Sequence, residues 1–495
     1  MNDLAKPIVI GVSGHRQLRA KDVDSLKQAV KSQLQAVALK CPNSPIKLLC
    51  CLAEGADQLC AEVAEELNIG LIVASPMEIS EYKKDFQAGA LFNFEKLLSR
   101  AEKVIVVSDY EKRPESFTRD YFYRQADIYV ALHSHCLIAL WDGSPAKAGG
   151  CGTAETVDMV LNHTYEHHNK YIRFNDGFVI RIHAPRLDDD TVAGDITYLG
   201  NESEFNTNIE KLDELNAGGG NPDELSLQNA KQYQGKLRLL AVLGTALATA
   251  FLLYDEIMIR GMLIALMIIF IVMIIAFKIA TKSRCHEKYI EYRAFAEALR
   301  VQQHSDRIGF DIEVANYLDW SRCFDTAWIH KAMQIMSMYR DVRKSENLLD
   351  DWILDQKRYH ERAAEKTKKL KQKNKAIILI AAALSIAVYA FAIIFEYGIA
   401  YQGMANAEII RIIIKVSVGL FSAISLFAAN YYGKLSLQHV YEDHVRMSSF
   451  FAAAEDYVTR FGADDEFLKE LVNEELSENS NWCSYEKENS IDLTI

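Results

Sequence analysis

The 495-residue sequence has no Cys-x-x-Cys pair, no surplus of basic residues and no basic, apolar leader at its N-terminus. Its nine cysteines are scattered and odd in number. That argues against a zinc ribbon or a disulfide framework, and for a reducing compartment. Lysine and arginine total 55 against 67 acidic residues, a net charge of −12, so a surface that coats a nucleic acid polymer is not expected. The opening residues MNDLAKPIVIGVSG lack the regions of a cleaved signal peptide, and none is expected. The most informative absence is of charge itself. Leu239 to Tyr254 (LLAVLGTALATAFLLY) and Gly261 to Phe277 (GMLIALMIIFIVMIIAF) carry no charged residue on any helical face. A buried helix of a soluble domain normally keeps one polar face, whereas a helix solvated by lipid needs none.

The short polar segment Asp255–Arg260 joins these runs and predicts an antiparallel hairpin. A second hairpin follows: Ala376–Phe395 is uncharged, and Ile412–Ala429 is interrupted only by Lys415. Lys415 near a helix end reads either as an anchor reaching the headgroups or as a cation lining a pathway. Lysines and arginines flank the outer ends of the runs: Lys231, Lys236 and Arg238 before the first, Lys278, Lys282 and Arg284 after the second, and six lysines from Lys366 to Lys375 before the third. This bias predicts that both termini and the middle region are cytoplasmic. Small residues at four-residue spacing, Gly244/Ala248 and Gly419/Ala423, predict close packing of the spans.

Residues 1–190 read differently. Pro7–Val12, Ile46–Leu52, Leu71–Ala74, Lys103–Ser108, Cys136–Trp141 and Phe178–His183 are short apolar strands alternating with helical patterns. The fold class expected is an α/β doubly wound parallel sheet, Rossmann-like, followed by an all-α region with four transmembrane helices. Ligands of such sheets bind beyond the carboxyl ends of the strands. Three strands end in glycine-bearing turns that lead into helices: Gly11, Ser13, Gly14, His15 and Arg16; Glu54, Gly55 and Asp57; and Gly149, Gly150, Gly152, Thr153 and Glu155. Glycine admits a phosphate close to the backbone, and a helix N-terminus offers free N–H groups. Together they predict a nucleotide pocket. Arg16 is a bidentate phosphate donor or a structural ion-pair partner. Glu54 and Asp57 bind ribose hydroxyls or cap a helix, and Asp142 could do either. His163 and His167, near His168, have the spacing of a metal pair without a third ligand, so no metal is expected. Residues 191–230, acidic and glycine-rich, read as a linker, followed by hairpin modules at 231–350 and 351–495.

Gly149-Gly150-Cys151-Gly152-Thr153 resembles the Gly-Gly-x-Gly-Thr core of the LOG family of nucleotide phosphoribohydrolases, and the turns at Gly11–Arg16 and Glu54–Gln58 resemble those of the wider SLOG superfamily. Arg124 falls where the LOG family places an active-site arginine. The chain departs from the family in having Ala148 for a proline, Thr156 for the final glutamate, and Glu155 one residue early. One residue turns a helical side chain by about 100°. The resemblance therefore implies binding of a nucleotide rather than its cleavage, with Arg124 and Glu155 as the catalytic pair if an enzyme activity remains.

His286–Gln303 and Tyr441–Phe461 both continue from a span and both carry an Ala-Glu pair, Ala296-Glu297 and Ala454-Glu455, which reads as packing within two copies of one helix–hairpin–helix unit. This arrangement resembles SLATT domains, two-span modules found with SLOG domains in bacterial conflict systems. The two resemblances imply a membrane effector of antiviral defence, homo-oligomeric in the bilayer. It would be switched by a nucleotide signal, such as a cyclic oligonucleotide or an ADP-ribose derivative, that a separate enzyme makes. No covalent cofactor is implied. A membrane-tethered phosphoribohydrolase and a constitutive channel are the rival expectations.

Overall fold

The computed structural model describes residues 5–110, 117–145, 152–164, 177–257, 261–318, 326–340, 342, 348–399 and 406–488. They form two compact units, Met1–Pro222 with Glu313–Asp341, and Asp223–Ile312 with Val342–Ile495. The first is a Rossmann-like α/β unit. Its strands are β1 (Ile8–Gly14), β2 (Ile46–Cys50), β3 (Gly70–Ser75), β4 (Lys103–Val106), β5 (Cys136–Leu140), β6 (Phe178–Ile182) and β7 (Ile196–Gly200). They lie in the order β4-β3-β2-β1-β5-β6-β7, all parallel except β7, which pairs antiparallel with β6. Ile8, Val9, Ile10 and Val12 are at most 2% exposed, the pattern of a central strand covered on both faces. Helices α1 (Val23–Lys40), α2 (Ala56–Glu66), α3 (Ile79–Tyr82), α4 (Ala88–Leu98), α5 (Arg119–Leu132), α6 (Thr153–Asn162) and α7 (Glu202–Ala217) complete the unit up to residue 222. From β1 the sheet grows one way through β2 and the other way through β5. The order reverses there, and a crevice opens beyond the ends of β1 and β5.

The second unit is helical. It contains α8 (Pro222–Ile257), α9 (Gly261–Lys282) and α10 (Cys285–Arg307); the chain then contributes α11 (Ala327–Ser337) to the first unit before α12 (Asp355–Ile394), α13 (Ala407–Lys434), α14 (Leu437–Phe461) and α15 (Asp465–Glu488). Four of its helical segments are long and apolar enough to cross a membrane, and the most apolar stretch of α9 has no buried residue at all. A soluble fold would not leave Ile264, Met267, Ile268 and Phe270 exposed in one run. Gly244 of α8 receives the Phe427 ring of α13, and Gly419 of α13 receives Leu252 of α8. The expected small-residue contacts thus join the two hairpins to each other. Lys415 is neither a bare anchor nor an isolated cation: its Nζ lies 3.0 Å from Glu256 Oε2, again across α8 and α13. Arg411 Nη2 donates to Glu396 Oε2 at 2.9 Å within the second hairpin.

The two hairpins share one backbone device. α9 ends at Lys282 and α10 begins after Arg284, whose φ is +49°; α13 ends at Lys434 and α14 begins after Ser436, whose φ is +50°. Ala296 and Ala454 are buried, Glu297 pairs with Arg300 at 2.5 Å, and Glu455 pairs with Lys357 at 2.7 Å, so both Ala-Glu pairs serve packing.

Two boundaries differ from expectation. Residues read as linker form β7 and α7, and α7 buries Phe205, Ile209, Leu212 and Leu215. Asn201 caps this helix, accepting from Glu204 N at 3.1 Å. Residues 313–341, read as part of the first hairpin module, belong to the α/β unit. There Ile335 and Met338 join a core with Val9, Leu137 and Val179, and Lys331 Nζ donates to Leu132 O at 3.1 Å.

Candidate functional site

A cavity of about 420 Å³ opens at the crevice of the α/β unit. Its floor is the end of β1 (Ser13, Gly14) and the residues that follow, His15 and Arg16. Asp57 at the start of α2, Tyr123 and Asp127 of α5, and Gly152–Glu155 at the start of α6 form the walls. Gly152 leads into α6 with no side-chain cap. The Gly152 carbonyl accepts from Glu155 N at 2.9 Å and Thr156 N at 3.0 Å, and the two amides before them, those of Thr153 and Ala154, belong to residues that line the cavity.

The turn is built tightly. The carbonyl of His15 accepts from Ala56 N at 3.1 Å, which ties the end of β1 to the start of α2. Gly55, with φ +87°, is where a Cβ would collide with the Arg16 carbonyl oxygen. Asp57 Oδ2 accepts from Cys51 N at 3.1 Å and Ala53 N at 3.2 Å and so holds the β2–α2 loop. Burial pushes this carboxyl up to about 7, against those two bonds and Arg16. Burial, then the nearby Asp57, likewise raises Asp127 to about 7. Near neutral pH each of these carboxyls is thus partly protonated, and in that form can donate a hydrogen bond as well as accept one.

Arg16 is the cation of the site. Its guanidinium lies 5.0 Å from the centre of the Tyr123 ring and forms no ion pair among the described residues. Arg186 also lines the cavity but is engaged, 2.6 Å from Asp142 Oδ2. Burial draws the His15 imidazole below its ordinary value, with Asp142 opposing. Its Nε2 lies 3.3 Å from the Asp142 N–H, in position to accept from it.

No protein-family model matches this chain, and no curated protein matches it either.

Of the residues singled out in the sequence, Ser13, Gly14, His15, Arg16, Asp57, Gly152, Thr153 and Glu155 line the cavity. Gly11 does not; it lies inside β1, where a Cβ would press on Ser134 and Val130. Glu54 is exposed away from the cavity. Gly55 shapes the turn and lines nothing. Asp142 is a loop brace. It accepts from Ser144 N at 2.9 Å and Ser144 Oγ at 2.8 Å; burial opposes its charge, but these bonds and Arg186 outweigh burial and hold it at about 2. Gly149 and Gly150 lie outside the described residues, as do His167 and His168. His163 ends α6 in a left-handed conformation, and among the described residues no cluster of three or more His, Cys, Asp or Glu is placed to hold a metal. Arg124 does not line the cavity, yet its Nε lies 2.7 Å from Oε1 of Glu155, which does. Asp127, Tyr123 and Tyr82 were missed in the sequence. They carry no glycine turn and no motif, and only the fold brings them to the strand ends.

Proposed function

We propose that this protein is a nucleotide sensor built onto a membrane effector of a bacterial antiviral defence system. The observation that carries the reading is Arg16: a guanidinium with no ion pair among the described residues, held by Tyr123, in a cavity at the sheet's reversal point, beside a helix start without a side-chain cap. A phosphate suits the guanidinium and the first-turn amides. Asp57 and Asp127, carboxyls raised by burial to about 7, suit the polar atoms of a base or sugar as acceptors or, when protonated, as donors. The resemblance to SLOG and SLATT domains supports a signal such as a cyclic oligonucleotide or an ADP-ribose derivative, made by a separate enzyme. Ligand binding would favour one arrangement of a homo-oligomer in the cytoplasmic membrane, with both termini on the cytoplasmic side, and the bilayer would leak. The ligand must bind that arrangement more tightly than the resting one.

The test is thermal unfolding of the full-length protein in detergent against a panel of nucleotides, with each nucleotide recovered and analysed afterwards. A sensor returns its ligand intact and shows a raised midpoint. Arg16→Ala should lower affinity about 10- to 100-fold, the scale of one lost charge-assisted contact, and leave the ligand-free midpoint unchanged. A panel ligand that binds the variant as well as the parent would remove the cavity from the account. The contact between Arg124 and Glu155 at the cavity edge favours one second reading, a membrane-tethered nucleoside monophosphate phosphoribohydrolase. Release of free base, abolished in Glu155→Gln, would establish it.

A further inference from the structure

The helical unit holds two cavities with a common wall. One, the polar cavity, of about 460 Å³, mixes charged and polar side chains with apolar ones; the other, of about 820 Å³, is apolar and runs along α8, α9 and α13. Arg238, Tyr431 and Tyr432 line both. The polar cavity gathers charges from the ends of the apolar runs: Arg238 immediately before Leu239, Lys373 shortly before Ala376, and Lys434 at the end of α13. Cations at that level face the phosphates of a bilayer. Four cations (these three and Arg293) and two carboxylates, Asp443 and Glu486, line it; Arg293 lies 3.8 Å from Glu297, which leaves Arg238, Lys373 and Lys434 as the cations at the ends of the apolar runs. Each carboxylate already has a histidine beside it, His439 at 3.2 Å and His286 at 3.4 Å.

Two groups wait for an acceptor. Arg238 donates Nε to the Tyr431 hydroxyl at 2.7 Å and has no carboxylate partner among the described residues. Asn374 is 5% exposed, lines the cavity, and its Nδ2 has no hydrogen-bond partner among the described residues. A buried amide without an acceptor is costly unless a ligand or water supplies one. The apolar cavity offers the opposite chemistry. Thr245 and Thr249 turn their hydroxyls back to the carbonyls of Ala241 and Thr245 at 3.0 and 2.8 Å, leaving methyl groups to the groove.

We propose that this pair of cavities binds an anionic glycerophospholipid. Its phosphate meets Arg238, Lys373 and Lys434, one oxygen accepts from Asn374, and an acyl chain lies in the groove between α8, α9 and α13. The inference rests on these helices spanning a bilayer and is independent of the nucleotide reading.

Full-length protein extracted in mild detergent is examined by native mass spectrometry and titrated with phosphatidylglycerol, phosphatidylcholine or inorganic phosphate. One phosphatidylglycerol per chain should bind, about tenfold more tightly than phosphatidylcholine, each tenfold corresponding to one lost contact of moderate strength. Lys373→Ala, an exposed position, should weaken it about tenfold with the fold intact, and Ala246→Trp should weaken it by filling the groove. Equal binding of phosphatidylcholine would overturn the selectivity for an anionic lipid. Competition by inorganic phosphate as strong as that by the lipid would overturn the role of the acyl groove. Unchanged binding in both variants would overturn the site. Protein released from membranes by alkaline carbonate would overturn the spans and this lipid site with them, while a nucleotide that still raises the midpoint would leave the sensor standing.

Discussion

Glycine makes room in both units, but for different things. In the α/β unit, Gly14 and Gly55 admit backbone and Cβ atoms: Ala56 against the first, the Arg16 carbonyl against the second. In the helical unit, Gly244 and Gly419 admit the ends of side chains, Phe427 and Leu252. The distinction matters because a backbone carbonyl in the tight turn after β1 has little room to retreat, whereas a ring can rotate or shift with its helix. The polar turn is therefore rigid and intolerant. The apolar seam is a matched pair of knobs and hollows that can adjust.

Gly55→Ala should give the largest effect. It adds a collision to a left-handed φ, and should destabilise the α/β unit by roughly 2–6 kcal/mol, read as a lost or strongly lowered unfolding transition. A loss comparable to an ordinary surface change would break the contrast. Asp57→Asn should come next and with the opposite sign. The carboxyl is near 4 when unfolded and about 7 when folded. Its contribution to stability is therefore whole below about pH 4 and lost as the pH rises through 7. Both backbone bonds fall on one oxygen, which an asparagine keeps. The variant should gain on the order of a few kcal/mol at pH 8 and nothing at pH 4, checked by denaturation at both. Gly244→Leu should cost about 1–3 kcal/mol and lower the midpoint of the detergent-solubilised protein, and the double variant with Phe427→Ala should recover part of it. Lys415→Gln, which keeps a hydrogen-bond donor for Glu256, should have the smallest effect, read as a slight drop in the midpoint of the detergent-solubilised protein.

The strands β1 to β6 were legible because each contains a short apolar run, although β4, at the sheet edge, leaves Val104 and Val106 exposed. β7 was not. Its Thr197 and Tyr198 face outward at the sheet edge, and an acidic loop precedes it, so no continuous run remains. Phe205, Ile209 and Leu212 of α7 do have helical spacing, but glycine-rich and acidic neighbours masked it. Nothing local in α11 announces that it belongs with a sheet formed some 200 residues earlier (Lys331 and Leu132 are 199 apart). In the site, the strand-end turns could be read from glycine and helix starts. Asp127 could not, because a carboxylate in mid-helix looks like any solvated one until the fold places Asp57 beside it. Gly11 packs against Ser134 and Val130 inside β1, and Asp142 braces its loop through Ser144 and Arg186, so neither lines the cavity.

The left-handed residues Arg284 and Ser436 also set the direction in which each helix leaves its span. Each is one residue held out of the right-handed conformation, at a cost of roughly 1–2 kcal/mol for a side chain other than glycine. Beyond Ser436, α14 has 25 residues, and at 1.5 Å per residue its arm is about 38 Å long. That arm is clamped along α12, His444 meeting His360 at 3.0 Å and Glu455 meeting Lys357 at 2.7 Å. A single backbone angle thus decides where 25 residues dock, and their contacts with α12 offset its cost.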